Sequence, residues 1–318
     1  MLYILSKKFI KKNLIYKLIF LSITTLVINS CAKGKKNSPP KIDSNVISNL
    51  NQQLKDFNQS YNYKVANTSS IEGKKKWWEV VAEVCGIAIA NAGGAQIGAS
   101  SAQTVAVAAG VATGGTGYAV VTAIGGAIGD SYTVYTQFYQ RVGNFNNVDP
   151  KGAFVIYSLP QEFSYLNNLG LLHNNGLERI YFSTTNPQTD LQWMASNINN
   201  INDVDYVKLY NFVEFKDLIN NIKSVSKKFS ENNFNYTILL NEYKMRGLMD
   251  EESATILSYF FEAVSKAVVF EDVKQINDFY INAIKNSNLN TKTKEAIFAS
   301  LVVYIQSYYY WLNFQIEE

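Results

Sequence analysis

The side chains that most often do chemistry are scarce in this chain of 318 residues: one histidine, two cysteines and a few adjacent acidic pairs. His173 stands between Leu171-Leu172 and Asn174-Asn175-Gly176. Beside such a turn signal it is expected to cap a carbonyl at a helix end rather than serve as a base or ligand. One histidine and so few thiols leave a zinc site short of ligands. A hydrolase would need paired carboxylates as acid and base, and the candidates are Glu251 with Glu252, Glu271 with Asp272, and Asp203 with Asp205. Each pair stands where first-turn acids stand to complement the helix dipole. Asn144, Asn146 and Asp149 near Gly152 miss the spacing of a calcium loop. No nucleophile elbow, phosphate-binding glycine loop or zincin motif is present. The sequence predicts no enzyme, no cofactor and no metal site.

The two cysteines differ in setting. Cys85 has the apolar neighbours Val84 and Gly86 and reads as a small buried hydrophobe. Cys31 follows a three-part leader: Lys7, Lys8, Lys11, Lys12 and Lys17 without any acid, an apolar run from Leu18 to Ile28, and the small residue Ser30. That order is the one secretion requires. The run of 11 apolar-region residues is too short to span a bilayer. Leu26-Val27-Ile28-Asn29-Ser30-Cys31 resembles the lipobox of bacterial lipoproteins, where a branched apolar residue stands three before a cysteine and a small one directly before it. Ile28, Ser30 and Cys31 match, and Asn29 departs from the usual small residue. The resemblance implies that residues 1–30 are a signal peptide, that Cys31 receives diacylglycerol on sulfur, and that its new amine is acylated by a chain such as palmitate. Several chains anchor firmly where one is reversible. An ordinary signal peptide, or an uncleaved anchor with a cysteine nearby by chance, is the alternative reading. Residues 31–42, polar and broken by Pro39-Pro40, form the expected tether. With Cys31 acylated, Cys85 has no partner within the chain, which leaves only an intermolecular disulfide open.

Removal of the leader also corrects the charge. The whole chain carries +3, but without its five leader lysines it has 24 basic against 26 acidic groups, near −2. A body so balanced lacks the basic stripe that nucleic-acid binding requires. Hydrophobic content of 47% suffices for a packed core.

The feature that sets the chain apart is an uncharged run of 46 residues, Val84 to Gly129, which holds 11 of the 18 glycines. Small residues recur there at every fourth position: Ala82, Gly86, Ala90, Gly94, Gly98, Ala102, Ala106, Gly110 and Gly114, with Gly126 in the same register. This glycine-zipper pattern allows two helix backbones to meet. A four-residue step drifts by about 40° on an ideal helix, so one straight helix cannot hold all these positions toward one partner. Gly93-Gly94 and Gly114-Gly115 are the expected breaks, giving helices near 75–92, 95–112 and 118–141 folded back as a hairpin within residues 75–141. Interior glycines each cost about 1 kcal/mol, so these helices need a partner surface: a bilayer, a second copy, or the rest of the chain. Lys74-Lys75-Lys76-Trp77-Trp78 resembles the collar at a membrane entrance. Against spanning stand Asn91, Gln96, Ser100, Ser101, Gln103 and Thr104. A minor strand-rich reading rests on Thr104-Val105-Ala106-Val107. The segment resembles the glycine-zipper domains of small envelope lipoproteins and the glycine-rich helices of membrane-active bacterial peptides and toxins.

Flanking elements are helical by punctuation. Within residues 43–74, Val46, Ile47, Leu50, Leu54 and Phe57 fit one amphipathic helix over 43–58, followed by a polar loop. In the domain 149–318, helices are expected near 160–173, 177–183, 189–199, 204–229, 234–246, 251–269, 271–287 and 291–313, with Gly176 as a stop and Asp250 and Asn290 as caps. Val155-Ile156-Tyr157 and Tyr181-Phe182 are candidate short strands, too few for a sheet. The fold class is all-α, with the glycine/alanine-rich hairpin packed with or beside a C-terminal multi-helix domain. Aromatic residues of the last helix, Tyr309 and Trp311 among them, fall on more than one face, and with Trp77 and Trp78 they are candidate membrane-interface or partner contacts. Leu171-Leu172-His173-Asn174-Asn175-Gly176-Leu177 and Tyr308-Tyr309-Tyr310-Trp311 are similar to pieces of bacterial envelope lipoproteins with a glycine-rich middle, a resemblance that carries no activity. The expectation is a lipid-anchored protein of the bacterial cell envelope, at the outer membrane or cell surface, with the membrane as partner through its lipid and self-association through the small-residue stripe open. A membrane-active, bacteriocin- or toxin-like factor and a partner-binding surface module are the alternatives.

Overall fold

Helix-start chemistry decides much of the architecture. The Asp250 carboxylate accepts from the Ser253 backbone N–H at 2.6 Å, and Asn290 accepts from Thr293 N–H at 2.9 Å, each satisfying a donor that a helix start leaves orphaned. The computed structural model describes residues 44–63, 77–108, 116–142, 158–182 and 212–316. In chain order the helices are α1 (Ser44–Ser60), α2 (Trp77–Ala108), α3 (Thr116–Val142), a short 3-10 helix (Gln161–Leu166), α4 (Leu169–Phe182), α5 (Val213–Glu231), α6 (Tyr236–Met245), α7 (Glu251–Lys266), α8 (Phe270–Lys285) and α9 (Thr291–Ile316). Among the described residues all regular structure is helical, so the fold is all-α. Cys31, Gly110, Gly114, Asp203, Asp205, the candidate strand 155–157 and the expected helix 189–199 lie outside the described residues.

Three local expectations are corrected. Gly93-Gly94 does not break the helix: α2 runs unbroken for 32 residues. Tertiary contact outweighs propensity there, because Gly93 faces Tyr243 and Leu239 of α6 while Gly94 faces Gly126 of α3. Gly176 does not stop α4, which continues to Phe182 and makes the candidate strand Tyr181-Phe182 helical. Gly176 is itself buried, inside the helix rather than at its end. The proline at 160 opens a 3-10 turn, and α4 starts only at Leu169.

α2 and α3 pack antiparallel, as the pairing of Gly94 with Gly126 and of Gly98 with Thr122 requires: positions rise on one helix as they fall on the other. The approach is backbone to backbone. A Cβ on Gly98 would lie 2.7 Å from the Ala123 Cα and closer still to the Thr122 carbonyl oxygen; one on Gly126 would lie 2.8 Å from the Gly94 carbonyl carbon. Gly86 is covered differently, by the ring of Phe234, whose Cγ would be 2.5 Å from an added Cβ. Phe234 is held in left-handed backbone (φ 56°) after α5, its N–H donating to the Phe229 carbonyl at 3.1 Å. Ala90, Ala102 and Ala106 are buried as well.

Much of the rest of the hairpin is covered by the other helices of the chain. Gly125 and Gly129 of α3 lie against Phe215 and Ile219 of α5, and Asn91 and Cys85 of α2 meet Ser307 and Tyr304 of α9. α9 is therefore an interior helix, which explains aromatic residues on several of its faces. Tyr304, Tyr308, Tyr310 and Trp311 are all buried. α1 docks on the same body: Phe57 stacks on Phe279 at 3.8 Å, and Asn58 donates to the Tyr259 carbonyl while accepting from the Tyr280 hydroxyl.

Because alanine is the better helix former by about 1 kcal/mol, the sign of a glycine substitution separates packing from propensity. Gly98→Ala is expected to destabilise the protein by at least about 2 kcal/mol in urea unfolding, since the obstructing atoms are backbone. Gly93→Ala, facing side chains that can move, should stay within about 1 kcal/mol of the parent.

Candidate functional site

Polar groups inside so apolar a core need partners, and the first group of them forms a closed track between α2, α3, α4 and α9. Asn91 Nδ2 donates to Ser307 Oγ at 2.6 Å, Ser131 Oγ donates to Asn91 Oδ1 at 2.5 Å, and Ser131 Oγ lies 3.0 Å from His173 Nε2. On the other side of the ring, Nδ1 lies 3.0 Å from Asn174 Oδ1, whose amide nitrogen donates to the Gln306 carbonyl at 3.1 Å. Here the expectation for His173 is corrected. It sits inside α4, not at a helix end, and caps nothing, because Asn174 spends its side chain on α9 instead of forming a turn.

Serine, histidine and asparagine in sequence are the types of a nucleophile relay, but here they are closed off from any substrate. Ser131 Oγ lies within hydrogen-bond distance of both Asn91 Oδ1 and His173 Nε2, and Ser131 and His173 are both fully buried. No substrate reaches them, so the track serves to fix four helices in register. Burial pulls the His173 pKa down from 6.5 to about 4, against the acceptors Asn174 and Ala127, which favour the charged ring. Cys85 is a buried thiol whose sulfur lies 3.4 Å from the Tyr304 hydroxyl; burial pushes its pKa up, away from the thiolate a nucleophile needs.

Directly before Ser131 on α3 lies Asp130, the acid that ends the uncharged run. It is fully buried against Gly94 and accepts from the Tyr243 hydroxyl at 3.0 Å. Burial pushes its carboxyl well above the usual carboxylate range, opposed by the hydrogen bonds from Tyr243 and the Gly94 backbone. A neutral acid there is compatible with its surroundings, whereas a carboxylate would be a desolvated charge.

A second polar region is open to solvent. A cleft of about 670 Å³ lies where the middle of α2 meets the starts of α5, α7 and α9. That size is within the range of ligand sites. α2 contributes Gln96, Ser100 and Thr104, which recur every fourth position and are offset by two from the glycine positions 94 and 98, hence on the opposite face. α5 contributes Glu214, Asp217, Leu218 and Asn221. The α6–α7 turn adds Gly247 and Leu248, with Gly247 at φ 67° and Leu248 N–H donating to the Tyr243 carbonyl at 2.9 Å. Lys292 and Ala296 come from α9. Gln96 is the exceptional member: it is 1% exposed, and neither its amide oxygen nor its nitrogen has a hydrogen-bond partner. Sequence reasoning counted Gln96, Ser100 and Thr104 only against membrane spanning. Their four-residue spacing was the available signal of a polar face.

Of the acidic pairs named from sequence, the two within the described residues stand at the starts of different helices. Glu251 lies at the first turn of α7 and is 3.2 Å from Lys244 Nζ, while Asp272, at the first turn of α8, accepts from the Tyr61 hydroxyl at 3.1 Å. Among the described residues no group of three or more His, Cys, Asp or Glu is placed to hold a metal ion. Of the aromatic contact candidates, Trp311 is 1% exposed and has no surface to offer a partner, a correction that follows from the interior position of α9. Tyr309 is half-buried, its ring 4.6 Å from that of Phe270. The side chains of Trp77 and Trp78 lie outside the described residues. Comparison with protein-family models, curated proteins and solved structures finds no match for this chain.

The two buried titrating groups pull stability in opposite directions. His173 binds its proton more weakly folded than unfolded, so its contribution is full above pH 6.5 and is lost as pH falls toward about 4, by roughly 3 kcal/mol at the limit. Asp130 holds its proton more tightly folded than unfolded, so stability is lost as pH rises above its ordinary value of 3.8. Asp130→Asn is expected to be more stable than the parent at pH 8, with the difference shrinking as pH falls to 5, read by thermal melts across that range. A parent advantage at pH 8 would mean that the site favours the carboxylate.

Proposed function

We propose that this protein is a lipid-anchored, non-catalytic component of the bacterial cell envelope, whose helical body is held off the membrane by the tether 31–42. The single observation that carries the reading is the leader ending in Ile28-Asn29-Ser30-Cys31, after a lysine-bearing front and an apolar run too short to span. The glycine-zipper hairpin then serves as the packing core of that body. Supporting this role, Gly86, Gly93, Gly94, Gly98, Gly125, Gly126 and Gly129 each face another part of the same chain. α2 and α3 keep no free small-residue face along that stretch with which to pair with lipid or a second copy.

Access speaks against catalysis there: the serine–histidine track is sealed from solvent. Binding is the remaining work for an anchored body, and the solvent-open cleft is the feature of the described residues best suited to it. Among the described residues no helix is long and apolar enough to cross a membrane. A membrane-active role would therefore require the hairpin to leave its covering helices and expose Asp130 and Asn91 to hydrocarbon, at a cost of several kcal/mol for each unsatisfied group.

Cys31→Ala should convert the protein from membrane-bound to released when cells are fractionated, and should abolish incorporation of labelled palmitate. Undiminished membrane binding by the unlabelled variant would refute lipid anchoring. Dye leakage from liposomes caused by the folded parent would favour the membrane-active reading instead.

A further inference from the structure

We infer that the end of the helical body around the open cleft faces the bilayer, with Val107, Val213 and Met245 at the level of ammonium-bearing lipid headgroups. The inference rests on the lipid anchor proposed above and starts from the path of α1. From Tyr61 back to Phe57, the contacts of α1 on α8 advance from Asp272 to Phe279, so these two helices run antiparallel. From Tyr63 back to Asn58, its contacts on α7 retreat from Ala263 to Tyr259, so α1 and α7 run parallel. The start of α1 therefore lies where α7 starts and α8 gives way to α9. Phe57 is 13 residues from Ser44, about 20 Å of helix, whereas Phe279 is 6 residues from Lys285, about 9 Å, so α1 overhangs the end of α8. Asp250, Ser253, Asn290 and Lys292, at those same helix starts, line the cleft. The cleft and the entry of the chain into the body thus share one end.

The connection from there to the lipid is short. Ser44 is 13 residues after Cys31, a separation that spans at most about 45 Å at full extension. A compact unit of the size of Val46–Glu318 is roughly 48 Å across. Even full extension would not let the body stand inverted, and placing the cleft end toward the lipid requires the least extension. The exposed side chains agree with this orientation. Among the described residues, the large hydrophobic side chains left exposed are Val107, Val213 and Met245, at 56%, 65% and 74%. Each stands within two residues of a residue that lines the cleft: Val105, Glu214 and Gly247. Scattered exposed apolar residues are ordinary, but these gather round one opening at the tethered end. Such side chains gain from burial at the boundary of headgroups and acyl chains. Glu214 and Asp217, exposed beside Val213, disfavour an anionic surface and suit the ammonium groups of zwitterionic lipid.

Fluorescence quenching tests the orientation on the acylated full chain. Cys85 is buried, so with Cys31 acylated a cysteine introduced at the surface takes the only label. Val107→Cys, Val213→Cys and, near the start of α8, the exposed Lys274→Cys are each labelled and placed in phosphatidylcholine vesicles bearing nitroxide headgroups. All three should float with the vesicles, and the labels at 107 and 213 should lose most of their fluorescence while that at 274 keeps it. With Val107→Ser and Val213→Ser together, a label at Met245→Cys should be quenched less while flotation is unchanged. Failure to float would overturn the anchor and the orientation with it. Flotation with equal quenching at all sites, or strongest at 274, would overturn the orientation alone, as would unchanged quenching at 245 in the serine pair. A dimer in detergent that the serine pair abolishes would assign the rim to a second copy instead.

Discussion

Everything in this fold depends on how closely the backbones of α2 and α3 approach. At Gly94 opposite Gly126 and Gly98 opposite Thr122 there is no room for even a β-carbon. Side chains of ordinary size would push the helices apart, and α5, α6 and α9 are positioned on a hairpin of this width. The contact is paid for in propensity, since glycine inside a helix is unfavourable by about 1 kcal/mol at each position. Dispersion across a backbone contact and burial of the alanines and valines on either side offset that loss. The same trade explains why α2 stays continuous through Gly93-Gly94: both glycines are covered, so the backbone freedom that would break an exposed helix is not available to it.

Small residues alone would leave the hairpin free to slide, because glycine and alanine surfaces are nearly featureless. Register is fixed by the polar groups embedded among them. Asn91 links Ser131 and Ser307, Ser131 lies against His173, and Asp130 takes the Tyr243 hydroxyl, so α3, α4, α6 and α9 are each referred to α2 or to its partner α3 at a definite height. A slip of one residue would strand several of these groups without partners in the core. That constraint also accounts for the ionisation of the interior. A histidine kept neutral and a carboxyl kept protonated are what hydrogen-bonded but desolvated positions favour, and neither requires a catalytic explanation.

Much of the architecture was legible in the sequence wherever local chemistry decides it. Asp250 and Asn290 cap where their positions before apolar helical runs predict, and the helices from Tyr236 onward begin and end within a few residues of the expected limits, whereas α5 starts at Val213 and not near 204. The failures share one cause. Gly93-Gly94 and Asn174 carry the local signs of a break and a turn, and each sign is overridden by a contact distant in sequence, while Gly176, the expected stop, is buried inside α4. Trp311 looked available for a partner because an all-round apolar helix, taken alone, has too many faces for a single core stripe; only the surrounding helices reveal that its aromatic faces, Tyr309 partly excepted, are inside. The candidate site was legible as spacing but not as a site. Gln96, Ser100 and Thr104 announce a polar face, whereas the acids that meet them stand more than a hundred residues later, on helices whose convergence no local pattern encodes.

These two faces of α2 belong to one design problem. The glycine side must be featureless so that α3 can come close, and a helix pressed that tightly on one side is held rigidly on the other. Gln96 sits two residues beyond Gly94 and two before Gly98, the positions where the clamp is tightest, so it is carried on backbone pressed directly against α3. Groups held by a rigid scaffold lose less freedom when a ligand arrives, which is how a site with few hydrogen bonds gains selectivity.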